Sequence, residues 1–505
     1  MSTRSFRKLA LATGILFFAL SALASSQVGA QTPTVSSTAS TSKEMKHNTD
    51  YIQNLKYDLN ELLAVDLEPT SQPVYPPRER KSGQVIVCTK TKHDVSSNLS
   101  ENALLNPSTG VVFPGAILKQ DRTLAEGLPT PYTLPRGPLT IRVALPGLKD
   151  KGVATIQSPN NIAVEVAIEK IIDHWFKEVK DKEGYQPPVR AFSMSHKSYT
   201  KEQIGVELGF GAQWGNNRAT LGLKTESTHE LTIAYRAFRQ IYYTVYIEEP
   251  EEAGAMFADS IKLDVTNMPA AQPPGFVRSV DYGRIIIVQM TTTSQITGQE
   301  AEATLDYTTM GGVKADSKLK EKYEKIAQNS SFQALVLGGG NDTAELLSGN
   351  PKQIGEAIIK GITFSKTNPA YPISYTVVDL KSRAVSEMKT TTRYIETVRT
   401  VLPDRSIMLK HRGGYVAWFT VTWKEYDDQS EKFVTRSYNS GDKTNPWDHT
   451  LWFPGDARDF VVTGHNHTGL LWDKHREKTI RYGVLDGNKK VTIKGTTLKM
   501  SITDK

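Results

Sequence analysis

The sequence predicts an α+β protein that ends in a separate β-sandwich, and three observations carry this prediction. Residues 160–180 place apolar side chains at helical spacing, which indicates a helix. The central third contains four long apolar runs typical of strands in a sheet that is partly covered on both faces: 240–247, 284–290, 332–337 and 371–378. From residue 397 to residue 505, short alternating segments separated by turn signals are typical of a sandwich.

Size and composition limit the class of protein. A chain of 505 residues is too long for one compact core, so we expect about two to four domains. Charged residues at 23% and hydrophobic residues at 38% are typical of a folded protein. The net charge of +7 favours an anionic surface, but no Lys/Arg stripe accompanies it, so nucleic acid is not an expected partner. The single cysteine, Cys88, excludes an internal disulfide.

The N-terminus has the features of a secretory signal. Residues 1–30 contain basic residues at positions 4, 7 and 8, an apolar run, and small residues before a cleavage site at Ala30. The Ser/Thr-rich stretch 31–48 lacks periodicity and is predicted to be a disordered leader. We therefore expect a secreted protein whose folded part begins at residue 49, with a short helix-like piece at 51–63.

One stretch, 204–214, alternates apolar residues with glycine or polar residues. The apolar positions are Ile204, Val206, Leu208, Phe210, Ala212 and Trp214. A period of two indicates a strand, either half-buried in a soluble sheet or spanning a membrane, for which about 9–11 residues suffice. A turn signal and three more alternating apolar residues follow within the segment 197–228. The spacing also supports a weak helix, which the four glycines of 205–215 would destabilise.

A second stretch, 300–307, has the same two-faced character within the segment 291–320. Ala301, Ala303, Leu305 and Tyr307 fall on one side of the predicted strand. Each segment is interpreted as strand–turn–strand beside the central sheet, and each also fits short helices. A segment that fits both the strand period and the helix period is a candidate for refolding from one form to the other. The alternative is two ordinary surface excursions of short helices.

Several motifs identify a family resemblance. They are Phe113-Pro-Gly-Ala-Ile117, Leu145-Pro-Gly-Leu-Lys149, Gln240-Ile-Tyr-Tyr-Thr-Val245, Tyr282-Gly-Arg284, Asn329-Ser-Ser-Phe332, Val336-Leu-Gly-Gly339 and Phe364-Ser-Lys-Thr-Asn-Pro-Ala-Tyr-Pro-Ile-Ser-Tyr375. In this order they resemble the cholesterol-dependent, or thiol-activated, cytolysins over nearly all of the mature chain.

The family's undecapeptide, Glu-Cys-Thr-Gly-Leu-Ala-Trp-Glu-Trp-Trp-Arg, is divergent here. It aligns with Asn466, His467, Thr468, Gly469, Leu470, Leu471, Trp472, Asp473, Lys474, His475 and Arg476. The family's cysteine is therefore His467, and two of its three tryptophans are Lys474 and His475. The family's sterol-recognising pair is present as Thr497 and Leu498.

The resemblance implies an elongated cytolysin/perforin-superfamily fold. Its bent central antiparallel sheet would be flanked by helical bundles, and residues 49–396 would form three interleaved domains. Residues 397–505 would form the membrane-binding sandwich, and 197–228 and 291–320 the two membrane hairpins. Gly338 and Gly339 match the family's Gly-Gly bend, where glycine permits backbone geometry closed to other residues.

The function that the resemblance implies is pore formation. A secreted toxin would bind cholesterol or another sterol in a target bilayer, assemble with copies of itself into a ring, and insert two β-hairpins per monomer. Two alternatives remain open. One is a cytolysin-like pore former with a non-sterol receptor or a partner protein, and the other is a non-lytic glycan-binding or surface-binding protein.

Enzymatic and metal-dependent functions have little support in the sequence. It contains no Gly-x-Ser-x-Gly, no His-Glu-x-x-His and no Walker lysine, so we expect no catalysis and no cofactor. His465, His467, His475 and Asp473 invite comparison with a zinc site. Because their family counterparts lie in an exposed loop, a pH-sensitive loop is the preferred interpretation. Trp472 is expected at the bilayer interface and Trp452 in the core.

Overall fold

A computed structural model describes residues 42–504 with several gaps. The residues left out within this range are 70, 71, 73, 106–109, 187–188, 217–222, 225–226, 228–230, 295, 310–315, 339–344, 349–350 and 473–474. The predicted signal sequence and residues 31–41 of the predicted leader lie outside the described residues. The first helix already begins at Lys43, so the prediction of disorder is wrong for residues 43–48. Packing fixes this helix: Asn48 is buried and donates to the carbonyl of Ile261.

Ten helices lie in the described ranges. In chain order they are α1 (Lys43–Asn54), α2 (Leu59–Leu62), α3 (Arg122–Ala125), α4 (Asn161–His174), α5 (Asp181–Glu183), α6 (Lys201–Glu207), α7 (Gln213–Asn216), α8 (Gly298–Thr309), α9 (Ser317–Gln328) and α10 (Pro351–Lys360). The predicted helix at 160–180 is confirmed as α4, which a π-helical segment, Trp175–Lys180, extends. The side chain of Asn160 caps it by accepting the N–H of Ala163. None of the helices in these ranges is both long and apolar enough to cross a membrane.

The described residues contain twenty-two strands. They are β1 (Ala64–Leu67), β2 (Arg78–Lys81), β3 (Gln84–Leu99), β4 (Asn102–Ala103), β5 (Ile117–Lys119), β6 (Leu139–Val143), β7 (Val153–Ile156), β8 (Arg190–Lys197), β9 (Thr232–Ile247), β10 (Pro274–Thr292), β11 (Ser330–Leu337), β12 (Glu345–Ser348), β13 (Tyr371–Asp379), β14 (Met388–Pro403), β15 (Arg405–His411), β16 (Ala417–Asp427), β17 (Lys432–Asn439), β18 (Trp447–Phe453), β19 (Arg458–His467), β20 (His475–Val484), β21 (Lys489–Thr496) and β22 (Lys499–Asp504). They form four sheets. β1, β14, β3 and β2, in that order, make what we call the scaffold sheet.

The central sheet is antiparallel and is built around β9 and β10. β10 pairs with β9 along most of its length. On its other side, β10 pairs first with β13 and then, from Ile285 onwards, with β11. The pairing with β9 shifts register between Tyr282 and Gly283, at the same point where the partner changes. Such irregularities bend a strand, so the central sheet divides into two halves there.

The C-terminal part is a two-sheet sandwich, as the sequence predicts. Its sheets have the orders β18-β15-β21-β22 and β17-β16-β19-β20, and a separate apolar core lies between them. The predicted boundary at residue 397 is wrong, because β14 continues to Pro403 within the scaffold sheet. The two parts are joined by a buried ion pair between Arg78 of β2 and Asp456, at 2.7 Å.

The predicted core position of Trp452 is also wrong. Trp452 is 66% exposed. It alternates with Leu451 and Phe453 along β18, and Phe453 faces the sandwich core. A period of two therefore places Trp452 on the outer face, opposite Ser406 of β15.

Candidate functional site

Four loops at one end of the sandwich form what we call the docking tip. The loops span 412–416, 440–446, 468–474 and 497–498, of which 473 and 474, and so the predicted site residues Asp473 and Lys474, lie outside the described residues. The ends of their strands lie together, since His411 pairs with Trp447 in one sheet and Ala417 with Asn466 in the other. The N–H of His467 donates to the carbonyl of Val416 at 3.0 Å.

Both ends of the undecapeptide-like loop hold the Thr497–Leu498 turn. Asn466 is fully buried, and its amide donates to the carbonyl of Thr497 at 2.7 Å. Arg476, which pairs with Asn466 across β19 and β20, donates to the carbonyl of Leu498. The two stretches that the sequence predicts to meet the membrane are therefore one connected unit.

The docking tip exposes large apolar side chains. Leu471 is 90% exposed, Trp472 82% and Leu498 52%, whereas Thr468 and Thr497 are at least half-buried beside them. Exposed apolar side chains that converge at the end of a domain mark a membrane or protein contact. The exposure of Trp472 agrees with its predicted place at an interface, since tryptophan favours the headgroup region.

The three histidines near the tip surround one aromatic ring, that of Trp418. His465 stacks on it with ring centroids 4.8 Å apart, and His467 and His475 lie at 4.9 Å and 5.9 Å. His467 is within 3.1 Å of the carboxylate of Asp442, and burial lowers the pKa of His465. Within the described ranges, no group of three or more suitable side chains could hold a metal ion. Sequence analysis missed Trp418, although alternation along 417–421 places it on the outer face.

The described part of the first predicted hairpin segment contains two helices, α6 and α7. Its alternating apolar residues fall on α6, α7 and the turn between them, and all six are buried. A capping box between Thr200 and Gln203 starts α6. Gly209 ends it with φ = +70°, a conformation that glycine adopts without strain. Tertiary burial thus overrides the strand-like pattern.

The described part of the second predicted hairpin segment contains α8 and the start of α9. In α8, Ala301 and Leu305 are fully buried against β9, β10 and β11, together with Thr304. Ala303 and Tyr307 are only half-buried, because a helix turns them away from Leu305. The predicted one-sided arrangement of these residues is therefore absent here and would exist only if α8 became a strand.

Specific polar contacts fasten both segments to the central sheet. The guanidinium of Arg239 donates to the carbonyl of Gly209 at 2.7 Å. Asp306 of α8 forms an ion pair with Arg236 of β9 and accepts a hydrogen bond from the Ser195 hydroxyl at 2.9 Å. These contacts tie both helical segments to β8 and β9, the strands that precede and follow the first segment.

Each segment connects two strands that are already antiparallel partners. The first joins β8 to β9, where Lys197 pairs with Ala234. The second joins β10 to β11, where Thr292 pairs with Ser330. If either segment became strand–turn–strand, it would lengthen an existing pair without rearranging the sheet.

The predicted bend residue Gly338 lies at the end of β11, where β10 changes partner. Its φ is +83°, and a Cβ added there would lie 2.9 Å from the carbonyl oxygen of Gly283. A side chain at position 338 would therefore be strained both by its backbone and by the strand beside it. The second predicted bend residue, Gly339, lies outside the described residues.

Titratable side chains cluster where α6 and α8 meet. Burial raises the pKa of Glu207 to about 7, and the Glu302 and Glu396 charges add to this, whereas the Gln203 amide opposes it. His196 lies 3.6 Å from Glu207 and 3.9 Å from Glu302, and burial lowers its pKa. Burial likewise raises the pKa of Glu302.

Comparison with known proteins defines the class. The thiol-activated cytolysin profile matches residues 48–402, and the profile of that family's β-sandwich domain matches 406–501. Ivanolysin of Listeria ivanovii is 30% identical over 469 residues, which are 90% of this chain and 87% of ivanolysin. The crystal structure of listeriolysin O is similar with a TM-score of 0.76 and 26% identity, covering 92% of this chain and 96% of that one. A disulfide-locked mutant of intermedilysin with human CD59 gives a TM-score of 0.72 and 29% identity, covering 92% and 98%.

Fold and relatives together place the protein among the pore-forming cytolysins, which are toxins. Within that class, the chain belongs to the thiol-activated cytolysin family. The motif resemblance aligns position 467 with the cysteine of the family's undecapeptide, and this chain has His467 there. The first profile ends at residue 402 and the second begins at residue 406. The structure places the junction at the same point, between the end of β14 at Pro403 and the start of β15 at Arg405.

The raised pKa of Glu207 predicts a pH-dependent contact. The folded state holds the Glu207 proton more tightly than the unfolded state does, so this stabilisation is complete below about pH 4.5 and is lost as the pH rises through about 7. Glu207→Gln should therefore raise stability at pH 8, by on the order of 2 kcal/mol, and change it little at pH 5. Thermal unfolding at several pH values measures this effect. Glu202→Gln on the same helix is the control, and a pH profile of Glu207→Gln identical to that of the wild type would contradict the assignment.

Proposed function

We propose that the protein is a secreted toxin that docks on sterol-containing membranes through its tip. Copies of the chain then assemble into a ring, and each inserts segments 197–228 and 291–320 as two β-hairpins. One observation carries this proposal. Two segments with strand periodicity are folded as helices, and each lies between two strands that are already paired.

The length of the segments supports insertion. About 34 residues separate β8 from β9, and about 37 separate β10 from β11. Each arm of an extended hairpin would hold about 17 residues, roughly 55 Å at about 3.3 Å per residue. A tilted membrane strand needs only about 9–11 residues. The remaining residues of each arm would extend the sheet above the bilayer.

The need for paired edges supports assembly. The proposed hairpins would extend β8, β9, β10 and β11 as one four-stranded sheet whose outer edges are β8 and β11. In the soluble chain the outer edge of β11 is covered by the four-residue β12, whereas within the described residues β8 pairs with β9 alone. A bilayer tolerates no unpaired strand edge, so neighbouring copies must supply the missing partners. Phe192 and Met194 of β8, about half exposed, suit such a contact.

The docking tip supports sterol binding. Thr497 and Leu498 match the family's sterol-recognising pair, and Leu498 is exposed beside Leu471 and Trp472. The contacts of Asn466 and Arg476 join this pair to the undecapeptide-like loop. Apolar side chains entering the headgroup region would then be positioned around the sterol.

The divergent undecapeptide favours a second candidate, a pore former with a protein receptor. His467, Lys474 and His475 replace apolar or thiol residues of the family pattern. One structural relative, intermedilysin, has been solved with human CD59. A protein receptor on the target cell would remove the need for the family's full set of tip tryptophans.

Dye release from liposomes distinguishes these candidates. We expect release from vesicles that contain cholesterol and none from otherwise identical vesicles without it. Leu498→Ala and Leu471→Ala should each weaken vesicle binding by about 1–3 kcal/mol, because each removes an apolar side chain from the bilayer contact. Val484→Ala is the matched control, since Val484 is equally exposed on β20 but lies at the opposite end of the strand from the docking tip.

The outcomes separate the hypotheses. Equal release with and without cholesterol would contradict sterol recognition. No release from either vesicle, combined with lysis of cells that bear a receptor, would favour the second candidate. No release and no lysis under any condition would favour a surface-binding protein that forms no pores.

A change at the bend tests insertion separately from docking. We expect Gly338→Val to bind vesicles normally and to release no dye, because the side chain would clash with Gly283 and restrict the sheet at the point where it must change shape. Vesicle co-sedimentation and dye release measure the two steps. Gly184→Val is the control, since Gly184 also has a positive φ but has open space around it and lies outside the docking tip, the bend and both hairpin segments. Wild-type release by Gly338→Val would contradict the hinge.

A further inference from the structure

A cavity of about 180 Å³ lies where both hairpin segments meet the scaffold sheet. The scaffold sheet contributes Lys90 of β3 and residues 395–399 of β14. The first hairpin segment contributes Lys197, Tyr199 and Ser227, and the second contributes residues 296–300. The cavity is therefore bounded by parts of the chain that the proposed insertion would separate.

The walls of the cavity carry three cations and two carboxylates, and one of the cations, Arg399, lies 3.8 Å from Glu79 outside the cavity. Its cations are Lys90, Lys197 and Arg399, and its carboxylates are Glu300 and Glu396. Both carboxylates already have partners. Glu300 pairs with Lys322 at 2.5 Å and accepts the N–H of Thr297. Glu396 accepts the Tyr199 hydroxyl at 2.6 Å and lies 2.9 Å from the ring of His93.

Lys197 is a partly buried cation of the cavity wall. Burial lowers its pKa, and the nearby charge of Glu396 opposes this only in part. Its ammonium lies 5.1 Å from the ring centre of Tyr199, and across the described ranges it forms no ion pair within 4.0 Å. A cation taken out of water without an anion beside it is costly, so the cavity favours an anionic occupant.

We propose that this cavity binds a small oxyanion, such as inorganic phosphate or a short carboxylate, and that the anion holds the hairpin segments in their helical arrangement. The volume admits a small anion but is below the range of about 300–1,000 Å³ that is usual for larger ligands. An occupant would contact Lys197 at the end of β8 and Lys90 of the scaffold sheet. Its effect on pore formation rests on the proposed function, whereas its binding does not.

The anion would act by stabilising one state. Extension of the hairpins would draw Tyr199, Ser227 and the lining residues of 296–300 out of the cavity wall, so the cavity would exist only before insertion. A ligand that binds one state alone shifts the equilibrium towards it, by tenfold when its concentration is about ten times its Kd. The rate of pore formation should fall accordingly, while docking through the sandwich tip is unaffected.

Thermal unfolding of the full chain tests binding without membranes. Inorganic phosphate, titrated at constant ionic strength, should raise the Tm of the wild type and of the control Lys92→Gln, which changes a neighbouring lysine of β3 outside the cavity. Lys197→Gln should weaken the phosphate response at least tenfold. Without phosphate its Tm should match or exceed that of the wild type, because an uncompensated cation is removed. A wild-type phosphate response in Lys197→Gln, or no response in the wild type, would overturn the site.

Dye release tests the consequence. Phosphate should slow release by the wild type and by Lys92→Gln several-fold, leave release by Lys197→Gln unchanged, and leave vesicle binding unchanged in all three. Phosphate binding with an unaltered wild-type release rate would overturn the inhibitory role. Absence of release from every protein under every condition would contradict the proposed pore instead, and the unfolding data would still decide whether the anion site exists.

Discussion

The packing of residues 204–214 against the central sheet is the interaction on which the rest of the structure depends. Phe210 stacks on Trp214 at 5.6 Å, and Trp214 meets Tyr235 of β9 edge to face at 5.3 Å. Six buried apolar side chains at about 1.5–3 kcal/mol each amount to on the order of 10 kcal/mol. The helices therefore do not leave the sheet in water. Release requires a new apolar environment and new backbone partners, which a membrane and neighbouring copies would supply together.

The scaffold sheet also contacts the helices and connects them to the sandwich. β14 contacts α6, contributes Glu396 to the network around Tyr199, and runs to Pro403, one residue before the sandwich begins. The ion pair of Arg78 and Asp456, both nearly inaccessible, fixes the sandwich to β2 of this sheet. Removing one partner of such a buried pair is costly, so the junction is expected to behave as a rigid link. β14 therefore links the helical segments to the sandwich that carries the docking tip.

Much of the fold could be predicted from the sequence, and the sequence also supplied the proposed site residues. Alternation at 204–214 and 301–307 identified the two segments, and motif resemblance supplied their order and the bend at Gly338. The helical form of these segments was harder to predict from the sequence. It depends on the apolar surface that β9 and β10 present rather than on local helix propensity. Ala303 and Tyr307 illustrate this, since only the helix separates them from Leu305. Trp418 and the misplaced Trp452 depend on which face of a sandwich strand points outward, and a single strand does not reveal that.

The central claim is that α8 must leave β8 and β9 for a pore to form. Ser195 of β8 and Asp306 of α8 lie side by side, with their oxygens 2.9 Å apart, and are suited to a reversible lock. The most direct measurement is dye release by S195C/D306C in a Cys88→Ala background, before and after reduction. We predict that the oxidised protein binds vesicles without releasing dye and that reduction restores release. Undiminished release by the fully oxidised protein would contradict the account.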